Sequence, residues 1–159
     1  MLIFMAATLA LGSSLVTTGA ADWLATSILG PVAVFGGAAK PYVFVVLVVL
    51  ASTAAHLVIQ SRSARSAVLI PMVVASAAPM GVDAMAVAFA STAAAGFCHT
   101  LTSSAKPVAI FAESDGRPNY EPADLLRLSA WLAPLSAVLV LLFSFFLWPL
   151  LGLPLFTAP

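Results

Sequence analysis

The chain has 159 residues, 62% hydrophobic and 8% charged, with six Lys and Arg against six Asp and Glu. A water-soluble domain carries roughly a quarter charged residues, so this much apolar surface belongs in a bilayer, and the expected class is an all-α integral membrane protein. Balanced charge gives no electrostatic case for nucleic acid, and the single cysteine, Cys98, excludes a disulfide framework or a cysteine metal site within one chain.

The opening residues, MLIFMAATLAL, lack a basic n-region and do not read as a signal peptide; they are apolar almost from the first residue, as though a longer chain preceded them. A bilayer span needs about 20 predominantly apolar residues. Residues 2–18 form the first candidate, closed by Gly19 as a C-cap glycine. Residues 20–30 are too short to span and carry Asp22 and Trp23, which suits an interfacial segment. A glycine-rich connection with Lys40 follows, and then a second span over 42–59, interrupted near its end by His56. The sequence QSRSAR breaks that run. The apolar residues resume over 67–78, about a dozen in number. At about 1.5 Å each they reach only about 18 Å against a hydrocarbon core of about 30 Å. A re-entrant hairpin over about 54–79 is therefore expected, with its turn at 61–66 and Gln60 and Ser66 on one side of the midplane. A cytoplasmic loop whose arginines follow the positive-inside rule is the competing reading.

Residues 82–112 read as a broken helix: apolar from Met85 to Cys98, interrupted by HTLTSSAKP, and resumed after Pro107, which suits a first helical position. Residues 113–124 are the one extended polar stretch. The last span runs over about 124–151, with Pro134 as a kink and Asp124 as its N-cap. Asp22 and Asp83 are expected to cap helices; Trp23, Trp131 and Trp148 are expected at the membrane interfaces.

The two polar breaks carry the functional signal. Backbone that leaves the helix at membrane depth is tolerated where protein or a watery cavity covers it, and secondary transporters place their sites there. The first break offers Ser61, Arg62, Ser63, Arg65 and Ser66; the second offers His99, Thr100, Thr102, Ser103, Ser104 and Lys106. Both are rich in hydroxyls and carry cations, as two walls of one anion site would. A helix N-terminus after the first break would add its dipole. His56 and His99 are candidates for a proton-linked role, although structural hydrogen bonding is the default reading, and no acid lies near either one to build a metal site. Arg65 is expected to face the hairpin's own backbone. Hydroxyls and histidines are present, but no motif sets them as nucleophile, base and orienter, so no enzyme is expected.

At these breaks the chain resembles the C-terminal half of the divalent anion–sodium symporter family, which carries di- and tricarboxylates and sulfate. LALGSSLVTTGAADWLA is similar to the segment that opens that family's second repeat. HLVIQSRSARSAVLIP resembles its hairpin motif, placing Ser61, Arg62 and Ser63 where the family has Ser-Asn-Thr. FCHTLTSSAKPVAIF resembles the second loop, with Ser103, Ser104, Ala105 and Lys106 in the places of Thr-Pro-Pro-Asn, and WPLLGL is similar to the final helix. The resemblance covers nearly the whole chain. It implies one single transmembrane domain over 1–159: about three full spans, a re-entrant hairpin and a discontinuous helix, making one half of an inverted-repeat transporter. It further implies a dianion held by Ser61, Arg62, Ser63, Ser103 and Ser104.

Arg62 and Lys106 depart from the family's sodium-ligating asparagines. Both side chains are donors only, so Arg62, Ala105 and Lys106 mark altered ion-site positions. Sodium is disfavoured and no cofactor is expected. The expected partners are the bilayer, the N-terminal half of the transporter or a second copy, and a homodimer in the inner (plasma) membrane, multi-pass. Arg117 and Arg127 predict a cytoplasmic polar loop and an outward C-terminus. The alternative to transport is a truncated remnant or a scaffold subunit of a membrane complex.

Overall fold

A computed structural model describes residues 6, 10, 14, 17–20, 23, 39–59, 61–100, 110–114 and 117–156. Ser103, Ser104, Ala105, Lys106, Asp22 and Gln60 lie outside the described residues, so the second polar break is seen only at its start. The elements are α1 (Lys40–Ala54), α2 (Arg62–Ala77), α3 (Ala84–Ala94), a two-residue antiparallel pair β1 (Glu113–Ser114) and β2 (Arg117–Pro118), α4 (Pro122–Leu142) and a terminal turn α5 (Trp148–Leu150). A five-residue π-helical segment, Phe143–Leu147, joins α4 to α5 without interrupting the rod. Three helices among the described residues are long and apolar enough to cross a membrane: Lys40–Leu57, Arg62–Met80 and Pro122–Leu150. The class is that of a helical membrane protein, as composition requires.

The sequence explains where each helix starts and stops. Pro41 occupies the first turn of α1, where its missing N–H costs nothing. Ser61 caps α2, its Oγ accepting from the Ala64 amide at 3.3 Å, and Asp83 caps α3, its Oδ1 accepting from the Ala86 amide at 2.8 Å. Between α2 and α3, Gly81 sits at φ +72°, a left-handed conformation that a side chain resists. Two expectations are corrected here. The hydroxyl- and arginine-rich stretch 62–66 is not a turn. It is the opening of α2, made helical by the Ser61 cap and by packing of Arg65, so α2 is longer than its apolar run. The N-cap of α4 is Glu121, with Asp124 three residues inside, its Oδ2 accepting from the Glu121 amide at 3.0 Å. Pro122 excludes helix before it, which shifts the cap upstream.

α1 runs one way, α2 and α4 the other, and α3 returns beside α1. Lys40 at the start of α1 donates to the Pro79 carbonyl at the end of α2, at 3.2 Å. Tyr42, near the same end, packs at a tilt against Phe145 and Phe156, with centroids 5.7 and 4.6 Å away. The core holds two groups. Phe44, Val45, Val48, Val73, Ala77, Val82, Ala86, Val87 and Leu155 form one; Val49, Ala90, Ala94 and Ala137 form the other. Alanines on α3 let α1 and α4 approach it closely, and a buried Ser52–Ser91 hydroxyl pair, at 2.8 Å, ties α1 to α3. The chain end hooks back: the Asp83 amide donates to the Leu155 carbonyl at 2.9 Å, and Val82 bridges Phe156.

Candidate anion site

The site is built where α2 begins and α3 ends. Ser61, Arg62 and Ser63 lie at the N-terminus of α2 and are exposed. Arg62, Ser63 and Ser66 face Thr92, Ala95 and Gly96, from the last turn of α3, across a cavity of about 410 Å3. The first turn of α2 holds no acid and two arginines, at the end of a helix where the macrodipole is positive. Its two charges repel the helix end they sit on, and an anion relieves both repulsions at once. Thr92 escaped the sequence reading, because a hydroxyl inside an apolar helical run looks like ordinary packing.

Arg65 does not share the cavity. It is fully buried. Its Nη1 donates to the Ala95 carbonyl at 2.9 Å and the Phe97 carbonyl at 2.8 Å, and its Nε to the Ile59 carbonyl at 3.3 Å. It faces the connection that precedes α2, as expected, and also the break after α3, which the sequence could not show. Among the described residues its Nη2 has no partner.

His56 makes a second link between the same two regions. Its Nδ1 donates to the Thr53 carbonyl, which accepts only, and its Nε2 shares a hydrogen bond with the Thr100 hydroxyl at 2.6 Å. Phe97 stands edge-on to the imidazole, centroids 5.2 Å apart. His99 is exposed, its ring centroid 5.6 Å from that of Phe97. Cys98 is buried beside them. Gly96 allows the sharp exit from α3, since a Cβ there would come within 2.9 Å of the Ala93 carbonyl oxygen. No cluster of three or more metal-ligating side chains occurs among the described residues.

Apolar helices long enough to cross a bilayer define a helical membrane protein. Residues 1–154 match the family described as the sodium:sulfate symporter transmembrane region, and the chain belongs to that family. It is a family of membrane anion transport, and the match spans every element described above. No curated protein and no solved structure matches the chain.

Proposed function

We propose that the chain moves a small divalent anion (a dicarboxylate, a tricarboxylate or sulfate) across the plasma membrane by secondary transport, as one repeat of an inverted-repeat transporter. One observation carries the reading: two arginines in the acid-free first turn of α2, one of them opening with Ser63 and Ser66 onto a cavity of about 410 Å3. Ser61, Arg62 and Ser63 form one wall. Ser103 and Ser104, a few residues along the chain from Thr100, which His56 holds against the hairpin, supply the other.

The α1–α2 pair acts as a re-entrant hairpin in this account. Ala137, packed in the cluster of Ala90 and Ala94, lies about 22 Å along α4 from Pro122, while α1 rises only about 12 Å from Val49 of the same cluster to Leu57. The tip thus stops roughly 10 Å short of the polar start of α4. The exposure of Arg62 and Ser63 at that depth is what a facing second repeat would cover, whether an N-terminal half or a second copy.

Transport is sodium-independent in this reading. A sodium ion about 4 Å from a fixed guanidinium meets about 4 kcal/mol of repulsion at an effective dielectric of about 20, close to a thousandfold in affinity. Binding of radiolabelled sulfate or succinate to the purified protein tests the proposal. Saturable binding that is lost in Arg62→Ala is expected; absence of binding by the wild type, with the second repeat supplied, would leave the scaffold reading in its place.

A further inference from the structure

Arg65 is the only cation with no exposure among the described residues, and all its hydrogen bonds there go to backbone carbonyls, those of Ile59, Ala95 and Phe97. These carbonyls come from the two places where the chain leaves the helix: the connection before α2 and the break after α3. The unwound backbone frees each of them from a helical partner. Carbonyls converging from unwound segments and half-helix C-termini are the oxygen set with which membrane transporters hold sodium, and hard cations take oxygen ligands. A cage shaped for a guanidinium would also engage its remaining N–H groups. Here Nη2 is buried without a partner among the described residues, so the cage grips one edge of the guanidinium and leaves the other idle.

We propose that Arg65 is a tethered cation seated in a sodium-type carbonyl cage, supplying permanently the positive charge that a bound ion would bring. The proposal rests on the sodium-independent reading above and names the residue responsible for it. Arg62 faces the cavity and is exposed, so it meets the anion; Arg65 sits behind it and holds the two walls together. Removing the guanidinium should turn the cage into a site that a free sodium ion fills.

The test is thermal unfolding of the full chain in detergent, in sodium chloride and in choline chloride at matched ionic strength, for the wild type, Arg65→Ala and Arg65→Lys. The wild type is expected to melt at the same temperature in both salts. Arg65→Ala should melt several degrees lower in choline and recover in sodium, with a saturable dependence on its concentration. Arg65→Lys keeps a charge in the cage and should stay indifferent to sodium; it is the deciding variant if Arg65→Ala fails to fold in either salt. Sodium-specific stabilisation of the wild type or of Arg65→Lys, or a folded Arg65→Ala that sodium leaves unchanged, would overturn the proposal. Sulfate binding measured on the same wild-type sample is a separate readout: its absence removes the transport reading, while the sodium response of Arg65→Ala still decides the cage.

Discussion

Arg62 and Arg65 stand within one helical turn and meet opposite environments. Arg62 opens to the cavity, while Arg65 is closed in by carbonyls. The sequence reading set Arg65 against the hairpin's own backbone and Arg62 toward the anion; that Arg65 also reaches the break after α3 depends on the rotation of α2 against α3, a tertiary fact. His56 poses the same problem. Its burial and both its partners were hidden, because Thr100 is far along the chain and the pairing depends on α3 ending where it does. The account treats His56 as a strut. Replacing it with leucine leaves the Thr100 hydroxyl and the Thr53 carbonyl without their partner, and unmade buried bonds cost about 1–3 kcal/mol. A lower melting temperature is expected for His56→Leu, and an unchanged one would show that the link contributes nothing.

At the scale of elements, the apolar spans were legible because composition alone dictates them: α1 and α4 fall inside long runs of Val, Leu and Phe. The start of α2 was not. Serines and arginines at a helix N-terminus read as a break when the cap and the packing partner are unseen, and the same blindness placed the α4 cap at Asp124 instead of Glu121. The end of α3 was partly legible, since the hydroxyls after Cys98 mark the polar break, but the carbonyls it exposes are a feature of geometry, not of composition. The second wall, at Ser103 and Ser104, lies outside the described residues and remains an expectation from the resemblance. Gly96 provides a probe at this scale. In Gly96→Ala the new Cβ collides with the Ala93 carbonyl oxygen unless α3's last turn shifts, which moves the Ala95 and Phe97 carbonyls away from Arg65. Lower stability and weaker sulfate binding are both expected; retention of both would mean that the exit from α3 tolerates the shift.

For the whole molecule, the chain end is tied into the bundle. Leu155 is buried in the first core cluster, and its carbonyl takes the Asp83 amide. Truncating a buried leucine to alanine costs about 2–5 kcal/mol, so Leu155→Ala should lower the unfolding temperature more than the same change at the exposed Leu150. Equal shifts would show that the hook is ornamental. Orientation follows from the basic residues flanking the polar loop, Arg117 and Arg127. A cysteine placed by Asn119→Cys in a Cys98→Ser background should react with a membrane-impermeant reagent only from the cytoplasmic side, and labelling from outside alone would invert the topology.

The central claim is that Arg62, at the start of α2 with the buried Arg65 behind it, holds a divalent anion and that the two fixed charges make sodium unnecessary. The most direct measurement is sulfate binding by the wild type and by Arg62→Ala in sodium chloride and in choline chloride at matched ionic strength, with the second repeat supplied. The account predicts equal affinity in the two salts for the wild type. It predicts at least a tenfold loss in Arg62→Ala in both, because a charged hydrogen bond contributes about 1.5–3 kcal/mol and about 1.4 kcal/mol is tenfold. A steep sodium requirement in the wild type, or full affinity without Arg62, would contradict it.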